Sequence, residues 1–111
     1  MFGRKQRREP SGVEVDERGV RLVRPDGTTE SVTWEALAEV RVMTTSQGPF
    51  ADDVFFVLDG GDHGCVVPQG LMPDELLIRL QSLPGFDNAK LIEAMGSTAD
   101  AEFVCWRRPA A

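Results

Sequence analysis

Apolar and polar positions alternate two by two through most of this chain, and the pattern turns helical only toward its end. The most apolar stretch, Val54-Phe55-Phe56-Val57-Leu58, lies between Asp53 and Asp59 and is followed at once by Gly60-Gly61. So short a run of β-branched and aromatic residues predicts a strand covered on both faces, or nearly so. Gly60-Gly61-Asp62-His63-Gly64 then predicts a reversal, with Cys65-Val66-Val67 returning as the hairpin partner as far as Pro68.

Before this hairpin, Val13 and Val15 alternate with Glu14 and Asp16, a half-buried strand. Glu17-Arg18-Gly19 predicts a tight reversal, with a positive φ easiest at Gly19, and Val20 and Leu22 continue the inward face. Pro25-Asp26-Gly27 is a turn signal that leads to a third strand from Thr29 to Trp34, with Val32 and Trp34 on one face. Trp34 to Glu39 is helix-prone behind a Thr33 cap but long enough only for a turn. Val40 to Thr45 resumes strand character, and Ser46 to Asp52 is a connecting loop.

After the hairpin, Pro73 suits a first helical position, with Asp74 and Glu75 complementing the positive helix end. Leu76, Leu77, Leu80 and Leu83 form its apolar stripe, and Pro84-Gly85 ends it. Asp87 is the expected N-cap of a second helix, with Phe86 and Leu91 spaced as a hydrophobic staple. Leu91, Ile92 and Met95 are its expected buried face, and Gly96 its C-terminal stop. Ala101 to Trp106 alternates as a last strand, Phe103 and Cys105 opposed to Val104 and Trp106. About seven short strands and two C-terminal helices predict an α+β fold built on an antiparallel sheet.

The 111 residues suit one domain, placed at 11–108 behind a basic, disordered leader at 1–10. Four of the 12 basic residues fall in the first eight positions, so the remainder sets eight basic against 18 acidic side chains. A body this acidic argues against nucleic-acid binding, which needs clustered Lys and Arg on the folded surface. No apolar run reaches the ~20 residues that span a bilayer. No hydrophobic segment follows the basic leader, so integral membrane insertion and secretion are not expected and the placement read is cytoplasmic.

Chemistry-bearing residues are few. His63, the only histidine, stands with Asp62 and Cys65 near Asp52, Asp53 and Asp59, an arrangement that a metal ion or a Cys-His nucleophile pair would need. The spacing matches neither a zinc site nor an EF-hand, and Val66-Val67 beside Cys65 points to a buried thiol. Cys65 and Cys105 are read as reduced, buried side chains. The glycines form no phosphate loop or dinucleotide fingerprint, and no nucleophile elbow is present. No catalytic residue, metal or cofactor is assigned. Trp34, Phe103 and Trp106 are the expected hydrophobic contacts if they prove exposed.

Val13, Val15, Asp16, Gly19, Val20, Gly27, Thr28, Val32, Trp34, Leu37 and Val40 together resemble the first half of bacterial pleckstrin-homology-like (GRAM-like) domains. The similarity covers residues 13 to 80, where the first helix fits the family's capping helix, and implies a partly open barrel used as a binding scaffold. Asp87 to Met95 and the Phe103 strand depart from the family, which ends on one long helix. That tail is similar to segments of small uncharacterised bacterial proteins. A lipid-headgroup site would need more cations in the first hairpin than Arg18, Arg21 and Arg24.

Three functions follow as expectations: a non-catalytic protein-interaction domain, an acidic inhibitor of a basic toxin or nuclease, or a metal- or Cys/His-dependent enzyme centred on His63. Pairing of exposed edge strands would make a homodimer.

Overall fold

The computed structural model describes residues 12–46 and 54–109. The basic leader, the Gly48-Pro49 loop and the carboxylates Asp52 and Asp53 lie outside the described residues. Seven antiparallel strands form two sheets. The first is a meander of β1 (Gly12–Val15), β2 (Gly19–Val23) and β3 (Thr29–Thr33). The second orders β4 (Glu39–Thr44), β5 (Val54–Asp59), β6 (Gly64–Pro68) and β7 (Ala101–Arg107) as β6-β5-β4-β7. Helices α1 (Asp74–Gln81) and α2 (Asn88–Met95) precede β7, and the sheets do not close into a barrel.

One core lies between the sheets and the helices. Val20, Leu22 and Val32 enter it from the first sheet, Val40, Val42, Phe56, Leu58 and Val67 from the second, and Leu76, Leu80, Leu91 and Ala94 from the helices. Leu37 reaches it from the turn after β3, where Ala36 N–H donates to the Thr33 hydroxyl at 3.1 Å as the helix-prone sequence predicts.

The joint between the sheets is a side chain. Glu30 of β3 accepts the Val66 N–H of β6 at 3.0 Å through one carboxylate oxygen and pairs with Arg24 through the other. The Cys65 thiol meets the Glu30 carbonyl at 3.7 Å. Burial opposes the charge on Glu30, but the Val66 amide and Arg24 more than offset it and hold its pKa below the ordinary carboxylate value.

The structure corrects several expectations. Gly19 is not in the left-handed region; it is required because a Cβ there would meet the Val32 carbonyl oxygen at 2.1 Å across the β2–β3 pair. Pro73 is the N-cap of α1, one position before the first helical residue. Asp87 caps α2 as expected, accepting Lys90 N–H at 2.9 Å. Leu91 is buried as expected, but it shares the buried face of α2 with Ala94, while Ile92 is 72% exposed and Met95 also lies in solvent. Residues three apart share a helix face, and the pair at 91 and 94 is the one aimed at β7 and β4. Gly96 ends α2 in the right-handed region.

Strand β7 departs from simple alternation. Val40 faces Trp106 and Arg41 faces Val104, so Cys105 is an extra residue in the ladder, a β-bulge. Phe103, opposite Val42, and Trp106, opposite Val40, therefore share the inner face that alternation assigns to opposite sides. The bulged Cys105 carbonyl accepts Asp87 N–H at 2.8 Å, tying the start of α2 to the strand.

Replacing Gly19 by Ala is expected to destabilise the fold by ~2–4 kcal/mol, since backbone must move. Gly12→Ala, whose Cβ meets nothing within 4 Å, serves as the neutral control in chemical denaturation.

Candidate interaction surface

Strand pairing places directly opposed residues on the same sheet face. On the second sheet the face turned from the core carries three such rows. Glu102, Met43, Phe55 and Pro68 form one, Val104, Arg41, Val57 and Val66 the next, and Arg107, Glu39, Asp59 and Gly64 the last. None of Met43, Phe55, Val57, Val66 and Val104 belongs to the core cluster or packs against it. Val57 is only 8% exposed, Met43, Phe55, Pro68 and Val104 are half-buried, and Val66 is 37% exposed. The expectation that β5 is covered on both faces, or nearly so, holds: its inner side is buried, and on its outer side Val57 is buried and Phe55 half-buried.

The charged end of this face is internally paired. Arg41 donates to Glu39 at 2.6 Å and to Asp59 at 3.1 Å, and Arg107 donates to the other Glu39 oxygen at 2.7 Å. The Arg107 and Arg41 hydrogen bonds hold the Glu39 carboxyl below its usual range. Asp59 is lowered first by the Gly61 N–H in the following turn, 2.8 Å away, and then by Arg41. Among the described residues, the buried Arg41 Nε has no hydrogen-bond partner, with Glu102 3.7 Å away. Beside this network an open depression of about 420 Å³ is lined by Ala38, Glu39, Asp59, Gly61, Arg107 and Arg108. Arg108 itself anchors the C-terminal end, donating to the Leu37 carbonyl at 2.8 Å and to Trp34 at 2.7 Å.

The aromatic residues singled out from sequence lie elsewhere. Trp106 is 5% exposed, its indole N–H donating to the Pro84 carbonyl at 2.8 Å, so it is not available as a contact. Trp34 is half-buried past the end of β3, with its N–H on the Asp16 carbonyl at 2.8 Å and the Arg79 guanidinium 4.5 Å from the ring centre. Phe103 packs against the core. His63 and Asp62 stand exposed in the β5–β6 turn, while Cys65 is buried in the core. Burial pushes the Cys65 thiol up to about 11, with Glu30 adding to it, and burial does the same for Cys105. Among the described residues no group of three or more His, Cys, Asp and Glu side chains is placed to hold a metal ion.

In the first hairpin, Arg21 pairs with Glu14 at 2.5 Å and Arg24 with Glu30, which leaves still fewer cations for an anionic headgroup. No helix among the described residues is long and apolar enough to cross a membrane. Sequence reasoning did not single out the outer face of the second sheet, and missed Arg107 and Arg108 altogether. The alternation Glu39-Val40-Arg41-Val42-Met43 was the available signal for it.

Glu39 and Asp59 are both more acidic folded than unfolded, so their stabilisation is present above the ordinary values of 4.5 and 3.8 and is lost as pH falls through the lower folded ones. Glu39→Gln is expected to flatten the acid side of a stability-against-pH curve. At pH 8 a thiol with a pKa near 11 holds on the order of a hundredfold less thiolate than a free cysteine. Both cysteines are therefore expected to resist a disulfide reagent in the native state and to react promptly in denaturant.

Comparison with known proteins finds no matching family model, no matching curated protein and no matching solved structure.

Proposed function

We propose that this chain is a non-catalytic protein-interaction domain whose working surface is the outer face of the four-stranded sheet. The observation that carries this reading is the in-register set Met43, Phe55, Val57, Val66, Pro68 and Val104, apolar and outside the central core cluster, most of it half-buried, with Val57 buried and Val66 exposed. Apolar area left on a folded surface is stabilised by whatever removes it from water, at ~25 cal/mol per Å². The rim suits recognition: Arg41, Glu39, Asp59 and Arg107 are locked to one another and present a fixed polar border.

The pleckstrin-homology-like resemblance agrees with a binding scaffold but names no partner. An acidic inhibitor or immunity-type protein that binds a basic toxin or nuclease is a separate reading, supported by the excess of carboxylates. A His63-centred enzyme draws little support, because His63 is exposed in a turn and the neighbouring Cys65 thiol is buried with a raised pKa.

Val66→Asp places a charge in the apolar row at an already exposed position, and Ile92→Asp does the same on α2 as a control. With each protein as bait, a partner retained by the wild type and by Ile92→Asp is expected to be lost with Val66→Asp. Equal retention by all three would remove the outer face as the working surface.

A further inference from the structure

Among the described residues, no ladder and no backbone hydrogen bond joins β1, β2 and β3 to the second sheet. The first sheet meets its neighbour where β2 and β3 lie against β6. The side-chain hydrogen bonds that cross from its strands to the second sheet both end at one residue, Glu30. The remaining attachment is apolar: Val20, Leu22 and Val32 reach the core from this side, with Val13 and Val15 packed against it. Apolar contact is not directional, so the polar ties decide which part of the joint gives first.

The two ends of β3 are tied in different ways. Beyond its C-terminal end the turn at 34–38 is pinned from several sides. Ala38 N–H donates to the Asp59 carbonyl at 2.8 Å, and Arg108 N–H donates to the Ala38 carbonyl at 2.8 Å. The Arg108 guanidinium donates to the carbonyls of Trp34, Glu35 and Leu37, and Arg79 of α1 lies over the Trp34 ring. Glu30 precedes Trp34 by ~13 Å of strand, and there the tie is a single carboxylate. One oxygen accepts the Val66 N–H at 3.0 Å and the other binds Arg24. Pro68, at the end of β6, has no N–H with which to make a second tie of this kind.

We infer that the first sheet is a flap, hinged at the turn at 34–38 and latched to β6 by the Glu30 carboxylate, which opens while the second sheet and its helices stay folded. Units with few ties to the rest of a domain open at less cost than global unfolding. The second sheet keeps its own ladders in the opened state, and α2 keeps its place against β7 and β4. Opening uncovers the Val66 N–H on the edge of β6 and the Cys65 thiol, which is 1% exposed and lies 3.7 Å from the Glu30 carbonyl. Cys105 lies on β7, at the opposite edge of the second sheet, and stays covered.

The two thiols therefore report on the flap. Each is labelled by a disulfide reagent at fixed pH, in urea concentrations below the unfolding transition, and resolved by peptide mass. In the wild type Cys65 is expected to react through an opening with a clearly weaker urea dependence than global unfolding. Glu30→Ala leaves the Val66 N–H without its acceptor and is expected to speed Cys65 labelling by ~tenfold or more, with Cys105 changed by less than about twofold. Glu30→Gln keeps an oxygen for the Val66 N–H but loses the charge that pairs with Arg24, and its Cys65 rate is expected between those of the wild type and Glu30→Ala. Both variants remove the charge, so the gap between them reads the hydrogen bond. Wild-type Cys65 labelling with the full urea dependence of global unfolding overturns the flap. Equal acceleration of both thiols in Glu30→Ala, or acceleration of neither, overturns the latch. If Glu30→Ala does not fold, Glu30→Gln decides: faster Cys65 with unchanged Cys105 supports the latch, and any other pattern overturns it.

Discussion

Strand β4 pairs on one side with β5 and on the other with β7, from the far end of the chain, and the rest of the molecule hangs on that double pairing. Its two faces divide the protein: Val40 and Val42 point into the core, while Glu39, Arg41 and Met43 build the outer face. A one-residue slip would exchange these sets, burying Arg41 and exposing two valines, so the register is strongly specified. The ladder to β7 holds this register only by admitting one extra residue. The bulge at Cys105 lets Phe103 and Trp106 both face inward and offers a carbonyl to the start of α2.

The two sheets are held as one body by different means. Backbone pairing stops at the edges of β3 and β6, and Glu30 spans them with a carboxylate that satisfies an edge N–H and is itself satisfied by Arg24. An edge amide occupied by a side chain is unavailable to a foreign strand, a recognised protection against edge-to-edge association. At the C-terminal end Arg108 binds the carbonyls of the Trp34–Leu37 turn and ties the last strand to the first sheet's exit. Charged residues thus add to the joining done by the core that both sheets share.

What remains uncovered is as informative as what is packed. The outer face joins an apolar centre to a border whose ions already have partners, an arrangement suited to taking an apolar surface out of water. The residues with reactive potential are arranged otherwise: the thiols are buried and His63 sits alone in an exposed turn.

Local pattern alone determined the seven strands, the two helices and the turns between most of them, because alternation, turn residues and caps act over a few positions. Asp87 as a cap, the turn at Thr33 and the burial of both cysteines were all readable in this way. Tertiary structure decided what depends on partners distant in the chain. It set which side of α2 is buried, the bulge that turns Trp106 inward, and the close approach that requires Gly19. It also decided that the outer side of β5 is buried at Val57 but only half-buried at Phe55. A strand's own residues record how apolar each face is, but which face another element covers is settled only when distant segments pack.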